Sequence, residues 1–122
     1  MVDKITKLYR HAGKQIAKIA PKDWQIAWTR VEMEDVTGSV VCFYRSIDYA
    51  IKPPIGKLPL DLYNDFRNIW RETRQAKPPN IWSSVTFILQ RNGTFTIEYG
   101  YEPVPIEDEL ERLKAWKQKY LL

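Results

Sequence analysis

Residues 89–103, "LQRNGTFTIEYGYEP", decide how the chain folds. Apolar and polar residues alternate on either side of Asn92-Gly93, the pattern of two antiparallel strands joined by a tight turn. The length of that turn sets the rest. With a two-residue turn, Leu89 faces Thr96 and Phe87 faces Glu98, and each face of the hairpin mixes apolar with polar side chains. With a three-residue turn, Arg91-Asn92-Gly93, and Gly93 in the left-handed conformation of a G1 bulge, Leu89 pairs with Phe95, Phe87 with Ile97 and Val85 with Tyr99. One face is then wholly apolar. Because a one-residue slip moves every side chain to the opposite face, the sequence predicts the second register.

Downstream, Pro103 and Pro105 stop the strand, and residues 106–120 predict a helix with Ile106, Leu110, Leu113, Trp116 or Lys117, and Tyr120 along one side. Its early acids and late lysines complement the helix dipole. Upstream, a helix is predicted from an Asp61 N-cap, with Leu62, Phe66, Ile69 and Trp70 as its apolar side and Lys77-Pro78-Pro79 as its stop. Residues 49–60, with three prolines and a glycine, predict an extended loop. Residues 24–33 and 39–46 read as two strands around a polar turn with Glu34, Asp35 and Gly38. The first strand sets Trp24, Ile26 and Trp28 on one side and Ala27, Val31 and Met33 on the other. Residues 2–20 form a first helix, with Ile5, Leu8, Tyr9, Ala12, Ile16 and Ile19 in a stripe, ended by Pro21. The order α, β, β, α, β, β, α predicts an α+β fold with an antiparallel sheet of about four strands packed with helices.

A chain of 122 residues with 44% hydrophobic and 28% charged residues predicts one domain, residues 1–122, with enough apolar surface for a core. One cysteine excludes an internal disulfide, and the N-terminal residues have no apolar run of the signal-peptide kind, so a cytoplasmic protein is predicted. The net charge of +4 alternates along the chain: residues 1–30 carry +5, residues 31–51 carry −3, residues 52–91 carry +4 and residues 92–122 carry −2. A uniformly basic nucleic-acid coat is not expected from such blocks.

Few residues invite catalysis. His11 is the single histidine, which leaves no His-rich metal site, and Cys42 lies in the strand pattern "SVVCFY" as a small hydrophobe. No Walker loop, dinucleotide fingerprint or nucleophile elbow is present. Glu98 and Glu102, four apart, share a strand face but specify no reaction. No catalytic residue, metal or cofactor is expected. A competing reading is a nucleic-acid module using Lys4, Lys7, Arg10, Lys14 and Lys18 of the first helix with Arg67, Arg71 and Arg74 of the second.

From Trp82 onward, "VTFILQRNGTFTIEYGYE" (85–102) and "ERLKAWKQKYL" (111–121) resemble the YezG family of antitoxin or immunity proteins. The residues that carry the likeness are Trp82, Phe87, Leu89, Gly93, Phe95, Ile97, Tyr99, Tyr101, Glu102, Arg112, Trp116, Lys119 and Tyr120, supported by Pro21-x-x-Trp24 and "VVCFYR" (40–45). The resemblance implies a cytoplasmic bacterial protein that neutralises a cognate toxin by binding its C-terminal domain, commonly the nuclease domain of an LXG toxin exported by a type VII system. It implies no enzymatic activity. Most of the matching residues are core candidates, and Glu102, Arg112 and Lys119 are the polar ones. A Glu102–Arg112 ion pair is the structural role open to the first two. The chain departs from the family in its positive charge and in Pro103, where an acid is often found. The expected contact surface is acidic and aromatic: Glu32, Glu34, Asp35, Glu98, Glu102, Asp108 and Glu109, with Trp28 as anchor. No membrane partner is expected, and the sequence does not address oligomeric state.

Overall fold

A computed structural model describes residues 3–122. Helix α1 (Lys4–Lys18) is followed by strands β1 (Trp24–Met33), β2 (Gly38–Ser46) and β3 (Ile51–Lys52), helix α2 (Leu60–Gln75), strands β4 (Ser84–Gln90) and β5 (Phe95–Gly100), a 3-10 turn (Ile106–Asp108) and helix α3 (Glu109–Tyr120). The strands make one antiparallel sheet in the order β3-β2-β1-β4-β5. Helices α1 and α2 cover one face and α3 the other, so the fold is α+β with both sheet faces covered.

The β4–β5 hairpin has the three-residue turn. Val85 pairs with Tyr99, Phe87 with Ile97 and Leu89 with Phe95. Gly93 has φ of +94°, which a residue with a side chain rarely adopts, and its N–H donates to Gln90 O at 2.9 Å. The apolar face meets α1, where the Tyr9 ring stacks on Phe87 at 5.6 Å and Tyr9 Oη lies 2.9 Å from Tyr99 Oη. Ala12, Ile16, Phe66 and Ile69 complete this core with no exposure to solvent. Burial raises the Tyr9 hydroxyl above its usual pKa range.

Three local expectations change. A β-bulge between Trp24 and Ile26 turns Trp24 to the α1 side, against Tyr44, whereas Ile26 and Trp28 face α3. The proline-rich stretch contains the short fifth strand β3, set against β2 by a turn in which Ser46 N–H donates to Ala50 O at 3.0 Å. Pro59, not Asp61, caps α2, and Asp61 lies in the first turn where its charge meets the helix N-terminus. The start of α1 at residue 2 lies outside the described residues.

The inner side of α3 also differs. Leu113, Trp116, Tyr120 and Leu121 pack on the sheet, while Ile106 and Leu110 stay 75% and 80% exposed. The cause is the α3-facing side of β1, which runs Ile26, Trp28, Arg30, Glu32. Its apolar half meets the end of α3 and its charged half meets the beginning.

His11 and Cys42 make no dyad. His11 Nδ1 lies 2.7 Å from Asp65 Oδ2 at the α1–α2 junction, and Cys42 Sγ lies 3.1 Å from Thr29 Oγ1 inside the core. Burial pushes the Cys42 thiol up to about 12. Cys42 is therefore expected to resist iodoacetamide at pH 8 in the folded protein and to react fully in denaturant, as followed by intact mass. The unfolded thiol ionises near 9.0 and the folded one near 12, so stability falls as pH rises through that interval, and Cys42→Ala removes this share of the slope in pH-dependent melts. Phe87→Ala, at a site with no solvent exposure, is expected to lower unfolding free energy by about 3–5 kcal/mol in urea titrations.

Candidate functional site

Antiparallel pairing brings the end of β1, the start of β2, the start of β4 and the end of β5 to one edge of the molecule. Three connections therefore meet there: the β1–β2 turn (residues 34–37), the approach to β4 (residues 80–83) and the exit from β5 (residues 101–105). Main-chain bonds join them, from Met33 N–H to Ser83 O and from Ser83 N–H to Gly100 O, both 2.9 Å. Tyr101 Oη donates to Asn80 Oδ1 at 2.8 Å.

Two arginines hold this end from behind. Arg67 of α2 is buried and donates to Glu34 O at 2.6 Å and Thr37 O at 3.0 Å, with its guanidinium 5.2 Å from the Trp70 ring centre. The turn can approach so closely because Gly38 has no side chain: a Cβ there would lie 2.4 Å from Met33 Sδ and 2.8 Å from Tyr63 Oη. The second arginine is Arg112 of α3. Its Nε and Nη2 donate to the two oxygens of Glu32 at 2.7 and 2.9 Å, and its Nη1 donates to Pro105 O at 2.6 Å. Glu32 also accepts from Arg30. Loss of solvation lowers the Arg30 pKa, opposed first by Glu32, while the hydrogen bonds to Glu32 raise that of Arg112. The expected Glu102–Arg112 tie is thus replaced by Glu32–Arg112.

The expected contact residues divide accordingly. Glu32 and Trp28 are each 6% exposed, the first inside the arginine pair and the second under α3 with the Arg45 guanidinium 5.2 Å from its ring centre. Neither reaches the surface, because β1 is covered on both faces. Glu98 stands midway along β5, exposed, and accepts from Tyr120 Oη. It is outside the strand-end cluster, and Glu102 lies beyond the end of β5, so the two do not share a strand face. Glu34, Asp35 and Glu102 do come together, on an open cleft of about 470 Å³. Glu109 lines a smaller depression beside it, with Glu34 and Ile106, and Asp108 is exposed at the start of α3.

Sequence reasoning missed the apolar part of this surface. Val36, Tyr101 and Ile81, which are 90%, 61% and 53% exposed, share the cleft with Glu34, Asp35 and Glu102. A signal existed for Val36, an aliphatic residue inside the polar turn "EDVTG". Exposed apolar side chains among unpaired carboxylates suit a macromolecular contact. Among the described residues no group of three or more His, Cys, Asp or Glu side chains is placed to hold a metal ion. No described helix is long and apolar enough to cross a membrane. Of the basic residues of α2, Arg67 turns inward to the β1–β2 turn and Arg74 stacks on Trp70 at 4.3 Å.

The fold is an α+β scaffold whose strand-end connections present acidic and apolar residues together. The profile of the family described as "Immunity protein YezG-like" matches residues 56–122, more than half of the chain and all of α2, β4, β5 and α3. The chain belongs to the YezG-like immunity protein family. It is 29% identical to the Immunity protein YezG of Bacillus spizizenii, over 97% of this chain and 83% of that protein. It is 24% identical to the Immunity protein YezG of Bacillus subtilis, over 93% of this chain and 85% of that one.

Removal of the Arg112 side chain is expected to leave Glu32 paired with Arg30 but without two of its hydrogen bonds. Arg112→Ala should lower stability by about 2 kcal/mol, and Arg112→Lys, which lacks the bidentate fork, by roughly half as much. Urea titrations check the magnitude. Faster amide exchange across α3, with α1 unchanged, checks the location.

Proposed function

We propose that the protein neutralises a cognate toxin by docking the acidic and apolar surface at its strand ends on the toxin's C-terminal domain, covering the active site or the substrate cleft. The carrying observation is the convergence of Glu34, Asp35 and Glu102 with Val36, Ile81 and Tyr101 on one rigidly held edge. Family membership supports the immunity role, and the matched segment contains Tyr101, Glu102 and Arg112. The protein acts as a stoichiometric inhibitor, without a reaction of its own.

The charge pattern favours a nuclease as target. A nuclease gathers cations around its substrate groove, and an acidic face with apolar contacts complements such a groove in both charge and desolvation. The family resemblance extends this reading to an LXG-type toxin exported by a type VII system, with the inhibitor retained in the cytoplasm of the producing cell.

Titration of the protein with the toxic domain encoded beside it tests the assignment. The variants Glu34→Lys and Glu102→Lys are each expected to weaken binding about tenfold and the pair about a hundredfold, with the loss concentrated in the association rate at low salt. Lys14→Glu on α1 should leave binding unchanged. Melting temperatures near that of the parent separate lost contact from lost fold. Parent-like affinity for the double variant would remove this edge from the interface.

A further inference from the structure

The two edges of the sheet are unlike. At one, β3 has two residues and is followed at once by Pro53 and Pro54, a short and blocked edge. At the other, β5 has six residues, "FTIEYG", with no proline and no lysine. Gln90 N–H donates to Thr94 O and Ser83 N–H to Gly100 O, so the even-numbered residues of β5 turn their main-chain groups toward β4. The N–H and C=O groups of Phe95, Ile97 and Tyr99 therefore point away from the sheet. Among the described residues, no turn or loop hydrogen bond closes them off.

We infer that this edge joins a second copy of the chain, β5 against β5 in antiparallel pairing about a two-fold axis at Ile97. The sequence of the strand is self-complementary in that register. Ile97 meets Ile97 of the second copy, Phe95 meets Tyr99, and Thr96 meets Glu98, which gives aromatic pairs on the α1 side and hydroxyl–carboxylate pairs on the α3 side. About six inter-chain N–H···O=C bonds form. Other centres do less well. An axis at Tyr99 sets Pro103, which has no N–H, opposite Phe95, and an axis at Phe95 runs Ile97 into the Gly93 turn. The result is a closed dimer with a continuous sheet. The acidic edge is built mainly from the turn and the β5 exit, and stays outside the strand pairing.

Thr96 is exposed and lies directly opposite Glu98 of the second copy, so its charge variants read the register. Sedimentation equilibrium from about 5 to about 500 µM is expected to show mass rising from 14.5 kDa toward twice that value. Thr96→Glu, which sets like charges opposite one another twice, should raise the dimer dissociation constant roughly five- to tenfold, and Thr96→Lys should lower it by a similar factor. Parent-like melting curves confirm intact folds. A mass of 14.5 kDa throughout the range, or equal effects of the two substitutions, overturns the inference. So does a pair of variants that alter affinity for the toxic domain while leaving self-association unchanged, because the edge then serves a different strand.

Discussion

The central strand has no outer side. From Ala27 to Met33 every residue of β1 is buried, under α1 and α2 on one face and under α3 on the other. Two of those residues are Arg30 and Glu32, and a buried charge is tolerated only when paired and hydrogen-bonded. Glu32 therefore dictates where α3 must lie. Arg112 has to reach both carboxylate oxygens, which anchors the first half of the helix, and Trp116 then falls over Thr86, to which its Nε1–H donates at 2.8 Å. The same arginine holds Pro105 O, so the β5 exit and the helix are set by one side chain.

What the sequence made legible follows from which interactions are local. The β4–β5 register could be read because the period-two pattern and the left-handed demand at Gly93 act within a dozen residues. The α3 stripe could not be completed. Ile106 and Leu110 fit its helical spacing, yet whether a spaced apolar residue is covered depends on the opposite wall, and there β1 offers charge. Glu32 was legible only as one more carboxylate on a strand, since its partner lies 80 residues away. The bulge that turns Trp24 to the other face has no marker such as glycine, because Gln25 is an ordinary residue in sequence terms.

The candidate surface shows the same division. Glu34, Asp35, Glu102 and Glu109 are visible in the sequence as acids near turns, and the structure gathers them because antiparallel strands return to the same edge. Their apolar neighbours were hidden for a physical reason: sequence patterns assign aliphatic residues to cores by default, and only the fold reveals that Val36, Ile81 and Tyr101 find no cover. Their exposure changes the chemistry of the edge from simple charge complementarity to a contact that can also bury apolar area.

The net charge of +4 is reconciled with an acidic edge by the positions of the cations. Lys4, Lys7, Arg10, Lys14 and Lys18 lie exposed on α1, and none of them lines the cleft that holds Glu34, Asp35 and Glu102. Arg67 and Arg112 lie at the edge but point inward, and both use main-chain carbonyls, Glu34 O, Thr37 O and Pro105 O, as acceptors. Such bonds fix the loops without neutralising the Glu34, Asp35 and Glu102 carboxylates, which remain available outside. Connections bound in this way have little motion left to lose when a partner arrives, and preorganisation lowers the entropic cost of association. At this edge Arg67 is spent on the backbone behind the acids and Arg112 on Pro105 O and the buried Glu32, while Arg74 lines the cleft beside Glu34, Asp35 and Glu102.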